Sequence, residues 1–154
     1  MEIILTVGYE LCAVIGGEKA LRAFTIGLDA KIVALAAGMS LVPLTEKLLE
    51  TLKADSGEDA KTVSPIFEYL YRVIVDRAVA ASEEGPLAYV EAGYFGGQGL
   101  QMAVAWDQGD MVMEPTDSKN PINQALRLLG VKAVAPDDEF DTVGLGRHRR
   151  TARW

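Results

Sequence analysis

The sequence contains only one histidine and one cysteine, and this scarcity excludes several kinds of active site. Structural zinc sites use four Cys or His ligands, and catalytic zinc sites use three protein ligands, so the chain falls short of the usual sets. A single cysteine also rules out an intrachain disulfide. The sequence therefore predicts no metal site and no cofactor, and it offers no catalytic residue that can be assigned.

The two residues are themselves poorly placed for nucleophilic catalysis. Cys12 lies in the apolar stretch 11–15, so we expect a buried small hydrophobe. A Ser–His–Asp or Cys–His arrangement would have to use His148, which lies among arginines near the C-terminus. Neighbouring positive charge lowers the basicity of an imidazole. We therefore expect His148 to be exposed or to dock the C-terminal segment.

Long hydrophobic runs are also missing. The longest apolar stretch, residues 32–44, has 13 residues and is interrupted by a glycine, a serine and a proline. A membrane-spanning helix needs about 20 apolar residues. The chain opens Met1-Glu2, and the apolar run at 3–7 is soon broken, which does not match a secretory signal. We expect a cytoplasmic protein that makes no membrane contact.

Positive charge is scarce and unevenly placed. The formal net charge is −7, which argues against direct nucleic-acid binding, because that affinity comes largely from Lys and Arg on phosphates. Residues 78–118 contain no Lys or Arg, and residues 133–146 contain none either. The last eight residues then hold four arginines. The sequence predicts two electrostatic faces or ends, with these acids in the longer segment: Glu83, Glu84, Glu91, Asp107, Asp110, Glu114 and Asp117.

Two acidic features invite a chemical interpretation. The segment Asp137-Asp138-Glu139 with Asp141 offers the oxygen ligands that hard cations prefer, but it lacks the glycine and spacing of a calcium loop. We expect a solvated acidic loop there. Glu91 and Asp107 could act as an acid and a base, yet no spacing singles out a pair among 22 acidic residues.

A glycine-rich segment at 93–99, Gly-Tyr-Phe-Gly-Gly-Gln-Gly, invites comparison with nucleotide-binding loops. Counted from Gly97, the dinucleotide pattern requires a glycine at the position of Met102. A predicted strand follows the segment, so no helix N-terminus is available for a phosphate. We expect a β-turn or bulge that uses the backbone freedom of glycine.

Hydrophobic patterning predicts strands at 2–7, 11–15, 21–26 and 31–36. Leucines at helical spacing predict a helix over 44–52. The clearest helix signal begins with Ser64 and Pro65 as cap and first residue, and its apolar stripe is Ile66, Phe67, Leu70, Ile74 and Ala78.

The second half predicts an antiparallel meander of strands 87–95, 100–106 and 111–114, with a tight turn at 107–110. In its middle strand the alternation predicts one core face and one smaller, more polar face, and the core face is Leu100, Met102, Val104 and Trp106. A last helix runs from Pro121 to Gly130, and 131–154 is expected to be irregular.

These elements predict a single α+β domain spanning residues 1–154. Strands and helices do not alternate strictly, so we expect a largely antiparallel sheet. Its C-terminal-half meander would pack against about three helices.

A candidate binding surface lies on the meander. Consecutive strand residues point to opposite faces, so one of Tyr94 and Phe95 should be exposed beside the glycine-rich turn. An exposed aromatic next to acidic residues is a plausible anchor for a partner. We therefore predict a partner-binding face formed by Glu91, Tyr94, Phe95, Asp107 and Asp110.

The segment Ala88-Tyr-Val-Glu-Ala-Gly-Tyr-Phe-Gly-Gly-Gln-Gly-Leu-Gln-Met-Ala-Val-Ala-Trp106 resembles the hairpin of small bacterial cytoplasmic immunity proteins of polymorphic toxin systems. Residues 121–131 and 138–149 resemble later blocks of the same group. The resemblance covers roughly the last half of the chain. It implies a stoichiometric inhibitor that stays in the cytoplasm and blocks one toxin domain.

The sequence thus favours a non-enzymatic acidic binding protein with a protein partner such as a basic toxin domain, since an acidic surface that mimics phosphate speeds association with a basic protein. Two alternatives remain open. One is a small enzyme or metabolite-binding protein whose pocket lies between sheet and helices. The other is a structural or self-assembling subunit.

Overall fold

The computed structural model describes residues 8–57, 59–95 and 98–154. The predicted strand at 2–7 lies outside these residues, as do Gly96 and Gly97 of the predicted first turn and the side chain of Phe95. Six strands form one sheet in the order β2-β3-β1-β4-β5-β6, and every neighbouring pair is antiparallel. The predicted α+β class with an antiparallel sheet is confirmed.

The elements follow one another along the chain as β1 (Tyr9–Gly16), α1 (Glu18–Phe24), β2 (Val33–Ala34), β3 (Ser40–Pro43), α2 (Glu46–Asp55), α3 (Arg72–Ala81), β4 (Leu87–Phe95), β5 (Gln98–Asp107), β6 (Asp110–Thr116), α4 (Pro121–Leu128) and α5 (Glu139–Val143). Single turns of 3-10 helix lie at Ser82–Glu84, Leu145–Arg147 and Thr151–Arg153. Within the described ranges, no helix is long and apolar enough to span a bilayer.

Helices cover both faces of the sheet. On the first face, α1, α2 and α3 pack on strand residues that include Val14 and Trp106. On the second face, α4, α5 and the C-terminal segment pack on residues that include Ala103 and Ala105. The prediction of one core face and one more polar face in β5 was therefore wrong, because both alanines are fully buried under α4. Leu100, predicted in the core, is exposed.

One strand prediction and one helix prediction were wrong. Residues 21–26 were predicted as a strand, but residues 21–24 belong to α1 and residues 25 and 26 form the turn after it. In α1, Leu21 and Phe24 face the core and Arg22 pairs with Glu18 one turn away at 3.0 Å. The helix predicted from Ser64 begins only at Arg72, and the preceding residues form turns.

Other local signals are confirmed. The 107–110 turn carries Gln108 at φ 52° and Gly109 at φ 82°, the paired left-handed conformations of a type I′ hairpin. Helix α2 begins after Thr45, whose side chain accepts a hydrogen bond from Leu48 N. The prediction of an irregular segment over 131–154 was wrong in part, because this segment contains the short helix α5 and two turns of 3-10 helix, and it is packed on the domain with Trp154 buried.

Candidate functional site

The structure does not bring the five predicted binding residues into one patch. In the β4–β5 pairing, Tyr94 lies opposite Gly99, whereas Leu87 lies opposite Trp106, next to Asp107. At about 3.3 Å per residue, Tyr94 and Asp107 are roughly 25 Å apart along the hairpin. Asp107 is half-buried and Asp110 is exposed at the far turn.

Tyr94 and Glu91 also lie on opposite faces of the sheet. Tyr94 is half-buried on the second face, with its ring centroid 6.2 Å from that of Tyr9. Glu91 lies on the first face between Cys12 and Met102 of the neighbouring strands, and only 4% of it is exposed. A buried glutamate is costly unless hydrogen bonds or opposite charges compensate for its lost hydration.

The Glu91 carboxylate organises the turns that precede α3. Its Oε1 accepts from the backbone N of Glu68 at 2.8 Å, and its Oε2 accepts from the backbone N of Tyr69 at 2.9 Å. The Tyr89 hydroxyl donates to Oε2 at 2.5 Å, and the Cys12 sulfur lies 3.4 Å from that hydroxyl. These bonds explain why helix α3 begins late, because the amides of residues 68 and 69 bond to the carboxylate instead of to helical carbonyls.

Burial governs the ionisation of this group of side chains. It raises the pKa of the Glu91 carboxyl, and the hydrogen bonds from Glu68 N, Tyr89 and Tyr69 N offset part of that rise. Burial likewise raises the pKa of Tyr89 and of the Cys12 thiol well above their ordinary values. Cys12 is thus a buried, protonated thiol, which makes it a poor nucleophile.

Glu91 lies at the wall of an open cleft of about 900 Å³ on the first face of the sheet. We call this the acidic cleft. Its walls come from the ends of β1, β4 and β5, the start of α2, the 68–71 turn and the C-terminal segment, and its charged residues are Glu10, Glu46, Glu50, Lys53, Glu68 and Glu91. Five carboxylates therefore face one ammonium group.

The C-terminal segment forms one wall of the cleft by binding β1 beyond the end of β3. Glu10 N donates to the carbonyl of Arg149 at 2.9 Å, and Cys12 N donates to Thr151 Oγ1 at 2.9 Å. The Thr151 hydroxyl donates to Glu10 Oε2 at 2.5 Å, and Thr151 N donates to Glu10 Oε1 at 3.1 Å. His148 packs edge-on against Trp154, with ring centroids 4.7 Å apart, in the docking position predicted as one of two options.

Replacing Thr151 with valine should lower the free energy of unfolding by about 2 kcal/mol, because the buried Cys12 amide loses its acceptor and Glu10 loses a donor. Urea unfolding would measure this. Thr116→Val is the matched control, since the Thr116 hydroxyl bonds only locally to the Glu114 carbonyl at an exposed site. Equal effects of the two changes would contradict the assigned docking role of Thr151.

The acidic segment at 137–141 is structural. Asp138 caps α5 by accepting from Asp141 N at 2.9 Å, and it also accepts from Asn123 Nδ2 at 3.0 Å. Glu139 is buried and pairs with Arg127 at 3.2 Å, so the expectation of a solvated loop was wrong at that residue. In the part of the chain that the structure describes, no group of three or more His, Cys, Asp or Glu is placed to hold a metal ion.

Sequence reasoning named Glu91 but missed its partners in the cleft. One signal was available: Leu87, Tyr89 and Glu91 alternate onto one face, so a carboxylate follows two core residues. The turn at residues 68–71 and Thr151 carried no such signal, because only the folded chain brings them to β4 and β1.

Comparison with known proteins adds no family: no family model matches the chain, and neither a curated protein nor a solved structure matches it.

Proposed function

We propose that this chain is a non-enzymatic binding protein that takes a basic segment of a protein partner into the acidic cleft. The observation that carries the proposal is the charge of that cleft, where five glutamates face a single lysine in a concave site. Carboxylates around a concavity attract and orient a basic partner before contact, and this raises the association rate.

The proposal moves the contact surface from the one predicted on sequence. Glu91 keeps its place in the site, but Asp107 and Asp110 lie at the far end of the hairpin from the cleft. The partner surface is therefore built around β1, α2 and the 68–71 turn. Tyr94 belongs to the second face, where it packs against Tyr9.

An immunity-type inhibitor that blocks a basic toxin domain is the function we assign to such a protein. A stoichiometric inhibitor has to cover its target and needs no chemistry of its own. The acidic cleft and the resemblance of residues 88–106, 121–131 and 138–149 to immunity proteins of polymorphic toxin systems support this assignment. A cytoplasmic location is part of the same proposal.

The direct test is capture of partners from the source cells with the tagged chain at low and moderate salt, followed by identification and purification of what is bound. We expect one stoichiometric protein with a basic surface, whose expression alone slows growth and whose co-expression with this chain does not. A stoichiometric partner whose activity this chain leaves unchanged would contradict the inhibitor assignment. Absence of any partner at both salt concentrations would contradict protein binding altogether.

Two matched charge reversals decide which acidic surface meets the partner. Glu50→Lys with Glu68→Lys changes the cleft, and Asp107→Lys with Asp110→Lys changes the far turn by the same total charge; all four residues are at least partly exposed. We expect the cleft pair to slow association with the captured partner by about tenfold at low salt, and the turn pair to change it little. Stopped-flow association rates over a salt series would measure both.

The opposite ranking would place the contact at Asp107 and Asp110, which are two of the five residues predicted from sequence to form the partner-binding face. Equal slowing by both pairs would show that only net charge matters, which would contradict a defined site in the cleft. Circular dichroism and thermal unfolding of each variant would establish that all the proteins compared are folded.

The second candidate is a metabolite-binding protein, and the cleft between sheet and turns, with a buried carboxylate at its wall, is the observation that favours it. A thermal-shift screen of small cationic metabolites, in the absence of any protein partner, would test it. A ligand that protects the wild-type chain but not a cleft variant would support this second function.

A further inference from the structure

We infer that the part of the acidic cleft beside Glu91 is a pocket for one cationic head group, carried by an arginine or lysine side chain of the partner. This inference rests on the proposed function and adds the chemistry of the contact. It follows from the hydrogen bonding of Glu91, the composition of the walls, and the position of the chain's own Lys53.

The carboxylate of Glu91 retains acceptor capacity toward a ligand. A carboxylate offers about four lone-pair positions. The described residues supply three hydrogen bonds, of which Tyr69 N and the Tyr89 hydroxyl both go to Oε2 and only Glu68 N goes to Oε1. Among the described residues, one lone-pair position on Oε1 therefore receives no hydrogen bond, and Glu91 is one of the residues that line the cleft.

The charge state of the wall favours a cation over a neutral donor. Burial and the nearby Glu68 charge both raise the pKa of Glu91, so the ionised carboxylate is incompletely stabilised by the protein alone. A cation in the cleft would favour the ionised form, and it would be attracted by Glu10, Glu46, Glu50 and Glu68 as well.

The remaining walls suit the methylene stem of a long basic side chain, because they include the apolar side chains of Leu49, Leu100 and Met102. Lysine and arginine bury their stems along such surfaces while the charged head group reaches a polar partner.

The cleft already contains one cation placed on an aromatic ring. Lys53 Nζ lies 5.8 Å from the centroid of the Tyr71 ring, and both residues line the cleft. Tyr69 lies two positions earlier on the same wall and is 37% exposed, so it offers a second ring. A guanidinium group stacks on such rings better than an ammonium group, so we expect arginine to bind more tightly than lysine.

The test uses Nα-acetyl-arginine amide as the probe, with Nα-acetyl-lysine amide and the uncharged isostere Nα-acetyl-citrulline amide beside it. Binding to the full chain would be followed by two-dimensional amide NMR. We expect saturable shifts at Tyr69, Ala92 and Leu100 with the arginine probe, and at least roughly tenfold weaker binding of the citrulline probe, the factor that about 1.4 kcal/mol of charge interaction provides.

Matched variants locate the head group. Glu91→Gln should weaken the arginine probe roughly tenfold, whereas Asp107→Asn, a carboxylate neutralised at the far end of the hairpin, should leave binding unchanged. If Glu91→Gln does not fold, Glu68→Gln replaces it, since the Glu68 side chain is exposed; there we expect about a threefold loss.

Three results would overturn the pocket: citrulline binding as well as arginine, shifts confined to residues outside the cleft, or no shifts at all. Failure of this pocket and failure of the proposed function would give different results. If the Glu50→Lys and Glu68→Lys pair slows the captured partner but the arginine probe does not bind, the cleft meets the partner without this pocket. If the probe binds but no protein partner is captured, the pocket stands and its ligand is a small cation.

Discussion

Replacing Glu91 with leucine should lower the free energy of unfolding by about 3 kcal/mol, although it removes a buried charge. The change leaves three donors without their acceptor, namely the amides of Glu68 and Tyr69 and the Tyr89 hydroxyl. Each unsatisfied donor costs about 1–3 kcal/mol when buried, and the two amides recover part of this from water because the cleft is open. Urea unfolding at neutral pH would measure the loss.

Glu91→Gln is the control that separates hydrogen bonding from charge. The amide oxygen of glutamine still accepts from one donor, but its NH₂ group faces a second N–H, so we expect a loss of about 1–2 kcal/mol. A leucine variant as stable as the wild type would show that the carboxylate does not hold the 68–71 turn. Hydrogen exchange of the amides of residues 68 and 69 should accelerate in both variants if it does.

The difference in stability between the wild type and Glu91→Gln should depend on pH, because the pKa of Glu91 is raised. Between the ordinary pKa of a glutamate, near 4.5, and the higher value in the folded state, the folded chain keeps a proton that the unfolded chain has lost. The contribution of Glu91 to stability is therefore largest below this window and declines as pH rises through the folded-state pKa. The stability difference between wild type and Glu91→Gln should shift against the wild type as pH rises from about 4.5; a difference that moves the other way would contradict a raised pKa.

Local signals explain which parts of the fold the sequence predicts. The Gln108-Gly109 turn and the start of α4 at Pro121 are specified by residues within a few positions of the structure they form. The meander follows, because its strands are close to one another in the chain and their apolar residues recur with the period of a strand.

The start of α3 and the cleft depend instead on contacts between distant residues. Ser64, Pro65 and the apolar stripe that follows predict a helix, but the carboxylate of Glu91, more than 20 residues later, binds the amides of residues 68 and 69. The wall formed by Thr151 rests on Glu10, which is 141 residues away. A pattern read within a window of one or two turns contains no information about such bonds.

The buried second face of β5 was missed for a related reason. Alternation shows which residues share a face, but it does not show whether a later element covers that face. Ala103 and Ala105 are small and compatible with either solvent exposure or close packing. They are buried because α4 lies on them. The same limitation affects the predicted core face. Leu100 and Trp106 share that face, but Leu100 lies near the start of β5 beside the open cleft and is exposed, whereas Trp106 is buried.

Trp106→Ala should be the most destabilising single change in the meander, lowering the free energy of unfolding by about 3–5 kcal/mol. Trp106 is 1% exposed in the core between the sheet and α1–α3, and truncation leaves a cavity that its neighbours fill only partly. For a domain of this length the melting temperature should fall by roughly 10 °C. Calorimetry and urea unfolding would give independent measures of the loss.

Leu100→Ala is the matched control, because Leu100 lies on the same strand and was predicted on the same core face, yet it is 63% exposed beside the cleft. Its stability change should stay within about 0.5 kcal/mol, as for other surface substitutions. If Leu100 instead contacts the partner, the same variant should weaken binding while leaving the isolated chain stable. A loss of stability comparable to that of Trp106→Ala would contradict the open cleft itself, since Leu100 would then have to be buried in the free protein.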